Sequence, residues 1–138
     1  MRLYLDSNVL ISFLRTEVDK AFNLRFNDSA RFFSICREQS IEVVISRLFL
    51  QEVEKVISLS EKNVLDVLNS EGLKIVKVEM ALRKTTLNIS GCAGIHYLDA
   101  AHIASALESN SNAIVTWNKK DFEKAKRLIP CISPDEFI

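Results

Sequence analysis

The sequence predicts an α/β fold: a three-layer α/β/α sandwich around a mainly parallel central sheet of four to five strands. Three observations predict it. Short apolar runs alternate with amphipathic stretches along the 138-residue chain, the pattern of strands joined by right-handed helical crossovers. Glycine and proline are sparse, at 3 and 2 residues, which argues against disorder and against a turn-rich all-β fold. Hydrophobic residues make up 48% of the chain, and a chain of this length buries roughly 68% of its unfolded surface. A core can therefore form without disulfide or metal staples. No repeat, low-complexity tract or compositional break divides the sequence, so residues 1–138 are expected to form one domain.

Each element has its own signal. Residues 2–6 read as a buried strand that ends on a carboxylate, Asp6, before a helix near 9–14. Residues 20–39 read as a long helix or helix pair, with Phe22, Phe26, Ala30 and Phe33 at helical spacing. Glu42–Ser46 is a second strand, and Ser46 or Arg47 opens a helix through Ser58. Ser60 is a plausible N-cap for a helix that Gly72 ends. Residues 73–78 form a third strand, 79–89 a helix, and 90–94, with two of the three glycines, a loop. An Ala-rich helix is expected over 97–109, a fourth strand over 113–116, a short basic helix over 121–128, and a last edge strand near Ile132.

Charge and cysteine content narrow the function classes. Lys plus Arg and Asp plus Glu both count 18, giving a formal net charge of zero. That excludes a bulk electrostatic grip on a polyanion; any such partner must be held by a local patch. Cys36, Cys92 and Cys131 are odd in number and widely spaced, with no CxxC or Cys/His zinc spacing, and read as reduced core thiols of a cytoplasmic protein. The opening Met-Arg-Leu-Tyr-Leu meets Asp6 before a signal-peptide core can form. No apolar run approaches the ~20 residues of a membrane helix.

Ligands of parallel α/β sheets bind beyond the carboxyl ends of the strands, and acids fall there. Asp6 closes the first strand in Leu5-Asp6-Ser7-Asn8, and the fourth strand runs into Thr116-Trp117-Asn118-Lys119-Lys120-Asp121. Taken singly, Asp6 also suits an N-cap, and Asn118 with Asp121 a capping pair. Glu52 is harder to explain away, because Leu48 and Val56 flank it at i±4 and place it within the apolar face. A carboxylate there needs a cation, hydrogen-bond donors or a place at the stripe's edge. Asp99 is the sole acid in the first two turns of its helix, where it suits the helix dipole yet sits in apolar surroundings.

Four such acids suit hard cations, which take oxygen ligands and can activate water against a phosphodiester. The sequence has no recognisable Ser/His or Cys/His nucleophile pair and no phosphate-binding glycine loop. His102 reads as packing or hydrogen-bonding on its own helix, and His96 carries no signal. A phosphatase of the haloacid dehalogenase type needs Asp-x-Asp after the first strand, where this chain has Asn8. A response-regulator receiver places its acid at a later strand end, unlike Glu52.

The motifs Leu-Asp-Ser-Asn-Val-Leu-Ile at 5–11, Leu-Asp-Ala-Ala-His-Ile-Ala at 98–104 and Thr-Trp-Asn-Lys-Lys-Asp-Phe at 116–122, with an acid inside a helix at Glu52, resemble the PIN-domain ribonucleases. The nearest likeness is to VapC-type toxins of toxin–antitoxin pairs. The resemblance implies a PIN-like fold and endonucleolytic hydrolysis of RNA with Mg²⁺ or Mn²⁺, leaving 5′-phosphate and 3′-hydroxyl ends. It makes Asp6, Glu52, Asp99 and Asp121 the catalytic, metal-holding quartet, with Ser7 and Thr116 as supporting hydroxyls. Asn118 stands where many members carry an acid, which leaves one or two metals open and is the one feature favouring a non-catalytic binding module.

The cationic segment Lys119, Lys120, Lys124, Lys126 and Arg127 is the expected RNA-binding rim, or else an ordinary solvated helix face. Trp117 is expected to pack against Phe122 rather than stack on a base. The resemblance further implies a cognate antitoxin seated on the early helices, and a homodimer. Phe22, Phe26 and Phe33 are expected in the core, with Phe32 at an interface.

Overall fold

A computed structural model describes residues 1–16 and 24–137. Residues 17–23, with Phe22 and the first turn of the long helix expected from residue 20, lie outside the described residues. The five strands β1 (Arg2–Leu5), β2 (Glu42–Ser46), β3 (Lys74–Val78), β4 (Ala113–Val115) and β5 (Cys131–Ile132) form one sheet in the order β3-β2-β1-β4-β5. Among the described residues the four pairings of this sheet are all parallel. The fold class is the expected α/β/α sandwich, with the sheet parallel throughout rather than mainly so.

Side-chain alternation along the strands builds two cores. Leu3, Leu5, Val43, Ile45 and Val115 face one layer; Tyr4, Val44 and Ile114 face the other. The first layer holds α1 (Ser7–Leu14), α2 (Arg25–Glu38), α3 (Arg47–Ile57) and α4 (Glu61–Ser70), which bury Leu10, Phe33, Phe49, Val53 and Leu68. The second holds α5 (Arg83–Ala93), α6 (Tyr97–Glu108) and α7 (Lys119–Phe122), with Ile89, Ala100, Ile103 and Phe122 inward. Such strands, covered on both faces, require the near-continuous apolar runs seen at β1, β2 and β4.

Local signals set most boundaries. The Ser46 hydroxyl caps α3 by accepting the Phe49 N–H at 3.1 Å, and Ser60 caps α4 through Asn63. Gly72 follows the end of α4 at a φ of +74°, where a Cβ would also lie 2.7 Å from Arg37 Cδ. The expected loop over residues 90–94 is instead the end of α5. Gly91 sits within that helix, and Gly94, at a φ of +65°, terminates it. Ile89 and Thr86 are buried there, and tertiary packing outweighs the ~1 kcal/mol penalty of a helical glycine. The helix also begins later than expected, at Arg83. The basic helix expected over 121–128 is α7 followed by a 3₁₀ turn at Glu123–Ala125.

Three side-chain expectations change. Phe32 is fully buried, with its ring 5.8 Å from Phe33 and 5.3 Å from Phe137; Phe26 is only half-buried. Trp117 packs on the α1–α2 layer and donates its indole N–H to Ser12 at 3.0 Å, whereas Phe122 belongs to the opposite core. Cys36 is buried and its thiol is pushed up to about 12 by desolvation, but Cys92 is exposed. All three cysteines are free thiols. Among the described residues no helix is long and apolar enough to cross a membrane.

Candidate metal centre

The chain runs β1-β2-β3 in one direction across the sheet and β4-β5 in the other, so the connections diverge between β1 and β4. A crevice opens at such a switch point, beyond the carboxyl ends of the two strands. Asp6 follows β1 and Thr116 follows β4, so both lie at its floor. The Asp6 N–H donates to Val115 O at 3.0 Å, and the Thr116 hydroxyl donates to Asp6 Oδ2 at 2.7 Å. Asn8 ties the two loops together: its amide donates to Asp6 Oδ2 at 3.2 Å, and its carbonyl oxygen accepts the Trp117 N–H at 3.1 Å.

Asp6 occupies the N-cap position of α1 yet makes no side-chain capping bond. Its carboxylate is turned into the crevice. Asn118 likewise precedes α7 without a side-chain cap, so capping accounts for neither residue. Thr116 is fully buried, and Thr116→Val leaves Asp6 Oδ2 short of its closest donor. That change is expected to destabilise the protein by about 1–3 kcal/mol, read from the midpoint of urea unfolding.

Glu52 projects from α3 toward the same point. Leu48, Phe49, Leu50 and Val53 are the buried residues of this helix, while Val56 is 45% exposed and Glu52 half-buried, so only one of the two i±4 neighbours of Glu52 is in the core and Glu52 stands at the stripe's edge. Its Oε1 accepts the Ser7 hydroxyl at 2.9 Å and lies 2.8 Å from His102 Nε2. His102, from α6, is the partner that the position of Glu52 demands. It is also the residue that spacing alone misses. The one available signal was a titratable ring three residues beyond Asp99 on an otherwise apolar helix.

One ligand atom each from Asp6, Glu52 and His102 lies within 4.8 Å of the others. Burial, with repulsion from Glu52, raises the Asp6 carboxyl above its usual range, against the pull of His102 and the Thr116 hydroxyl. Burial pushes Glu52 up as well, but the His102 hydrogen bond and charge, with Ser7, hold it below the usual range. Burial depresses His102, and the Glu52 hydrogen bond with the charges of Asp6, Glu52 and Asp99 more than reverses this. The net penalty on ionised Asp6 is one that a cation would relieve, and carboxylate oxygens are the donors that hard divalent ions take. The group fits a divalent metal.

Asp99 and Asp121 stand beside this cluster rather than within it. They share an adjoining cleft of about 440 Å³ with Lys120 and Lys124. Asp99 is raised by burial and then by repulsion from Asp121 and Asp6, which couples it electrostatically to the cleft on one side and to the cluster on the other. Asp121, Asn118, Lys120, Lys124, Lys126 and Arg127 are exposed. Lys119 pairs with Glu136, and Lys126 with Glu123 at 3.0 Å. On the other side of Glu52, a groove of about 540 Å³ is lined by Ile11, Leu48, Val56 and Leu98.

No curated protein matches the chain. The PIN domain family matches it over residues 3–128, from the first strand past the last of the four acids. PIN domains are generally nucleases, and such enzymes usually employ a divalent metal. With the β3-β2-β1-β4-β5 parallel sheet and the acid-lined crevice at its switch point, a match of that extent shows that the chain belongs to the PIN domain family.

Proposed function

We propose that the protein is a Mg²⁺- or Mn²⁺-dependent endoribonuclease, acting in the cytoplasm as the toxin of a VapBC-type toxin–antitoxin pair. The observation that carries the nuclease reading is the convergence of Asp6, Glu52 and His102 within 4.8 Å at the switch point of a PIN fold. Asp6 and Glu52 hold the metal in this reading, and Asp99 and Asp121 complete the acidic site from the adjoining cleft. When bound, the ion supplies positive charge that polarises the phosphodiester and acidifies the attacking water. Water adds to phosphorus, the P–O3′ bond breaks, and 5′-phosphate and 3′-hydroxyl ends result.

The chain's own residues set up that chemistry. Thr116 and Asn8 fix Asp6, Ser7 steadies Glu52, and Asn118 borders the site without adding a negative charge. Lys120 and Lys124 offer cations to the RNA backbone directly beside Asp99 and Asp121. Lys119 and Lys126, each in an ion pair, contribute less, and Arg127 extends the rim. Lys120→Ala with Lys124→Ala is expected to weaken RNA binding and to flatten its salt dependence by about two phosphate contacts, a log–log slope change of roughly 1.4 for single strands. Fluorescence anisotropy across a salt series measures both.

The toxin reading is supported by the groove beside Glu52, where Val56 and Leu98 remain 45% and 43% exposed. An apolar antitoxin segment can lie there and reach the acids. Met80, Leu82 and Leu87, also exposed, favour the homodimer. The test is digestion of end-labelled single-stranded RNA with Mg²⁺ or Mn²⁺. Metal-dependent internal cuts with 5′-phosphate ends, lost in Asp99→Asn, are expected. Cleavage that persists in EDTA overturns the reading, and Mn²⁺ binding without cleavage of any RNA leaves a binding module instead.

A further inference from the structure

His102 is 2% exposed and has no assigned role in the proposed chemistry, although it touches Glu52. Its other ring nitrogen is engaged just as closely. The Phe49 N–H donates to Ser46 Oγ at 3.1 Å, Ser46 Oγ lies 2.7 Å from Tyr4 Oη, Tyr4 Oη lies 2.6 Å from His102 Nδ1, and His102 Nε2 lies 2.8 Å from Glu52 Oε1. This line of hydrogen bonds starts at the cap of α3, passes through Tyr4 of β1 and returns to the same helix at Glu52, nearly two turns on. The Tyr4 and His102 rings meet edge-on at 5.6 Å, which holds the imidazole plane.

The proton count fixes the directions. In a neutral ring, Nε2–H donates to Glu52, Nδ1 accepts the Tyr4 hydroxyl, and Tyr4 Oη accepts from Ser46. In a charged ring, Nδ1–H donates to Tyr4 and the Tyr4 hydroxyl donates to Ser46. Either way Nε2–H stays on Glu52. Both donors to Glu52, Ser7 and His102, use Oε1; among the described residues Oε2 receives none and is left for a ligand.

We propose that Tyr4 and His102 are positioning residues that clamp Glu52 Oε1 so that Oε2 presents to a divalent metal, with His102 acting through Glu52 rather than as a ligand. Both ring nitrogens are already committed, and Nε2 is 3.9 Å from Asp6 Oδ1, against 2.8 Å from Glu52. Hydrogen-bond partners behind a metal-binding side chain typically set its orientation and basicity. The inference rests on the reading of Glu52 as a metal-holding residue.

The test is Mn²⁺ titration calorimetry on the full chain, with circular dichroism confirming that each variant is folded. His102→Leu and Tyr4→Phe are expected to bind Mn²⁺ about 10–100-fold more weakly. His102→Gln, which keeps an N–H directed at Glu52, should remain near wild type. Tyr4→Phe keeps the ring and its packing and stands in if His102→Leu fails to fold. RNA cleavage should lose kcat with KM unchanged. Wild-type affinity in Tyr4→Phe overturns the inference, as does a loss in His102→Gln as large as in His102→Leu, which would make the imidazole a direct ligand. Absence of Mn²⁺ binding by the wild type overturns the metal-site reading itself.

Discussion

Asp6→Asn is expected to lower kcat for RNA cleavage by about 10²–10³-fold, the scale of removing one preorganised electrostatic contact in an active site. The same change should stabilise the metal-free protein at neutral pH. The two effects share one cause. Asp6 is 7% exposed, and burial with repulsion from Glu52 raises its carboxyl above the ordinary 3.8. A group raised on folding contributes stability that is fully present below its unfolded value and is lost as pH rises through the folded value. At pH 7 burial of this carboxyl is therefore a net cost to the fold.

Asn keeps an acceptor for the Thr116 hydroxyl and removes the charge. A gain of roughly 0.5–2 kcal/mol is expected, in line with functional residues that are held against stability. Urea unfolding in EDTA measures it, and the difference between the two proteins should shrink as pH falls toward the ordinary carboxyl value. A less active and less stable Asp6→Asn would mean that the carboxylate serves mainly as a structural acceptor.

Divalent metal is expected to have a second large effect, on thermal stability. A ligand that binds only the folded state at 100 times its Kd stabilises by about 2.7 kcal/mol, which raises Tm by on the order of 10 °C for a domain of this size. Mn²⁺ should produce such a shift in the wild type and little in Asp6→Asn, because the cation offsets the repulsion among Asp6, Glu52 and Asp99. An equal shift in both proteins would place the bound ion elsewhere. Differential scanning fluorimetry across a Mn²⁺ series is sufficient.

How much of this was legible in the sequence depended on whether the governing contacts are local. Asp6 and Thr116 could be found because strand ends are set by short apolar runs, and a parallel sheet makes those ends the binding edge. Glu52 could be noticed as misplaced on its helix, but its partner could not be named, since His102 reaches it from a different helix. Tyr4 looked like an ordinary strand residue; only the packing of β1 against α6 brings its hydroxyl to the imidazole. Phe32 lies in the core rather than at the expected interface for the same reason. Phe137, near the far end of the chain, covers the face of α2 that helical spacing left open. At residues 90–94 a local rule misled, because two glycines suggested a loop where burial of Ile89 sustains a helix.

The proposed divalent metal lies between Asp6 and Glu52 at the β1–β4 crevice. Paramagnetic broadening by Mn²⁺ in amide NMR spectra tests it most directly. Substoichiometric Mn²⁺ should first remove the signals of Ser7, Asn8, His102 and Trp117, and should leave Lys74, at the opposite end of the sheet on β3, for last. Broadening centred away from the crevice, or none at all, would rule out a metal between these two carboxylates.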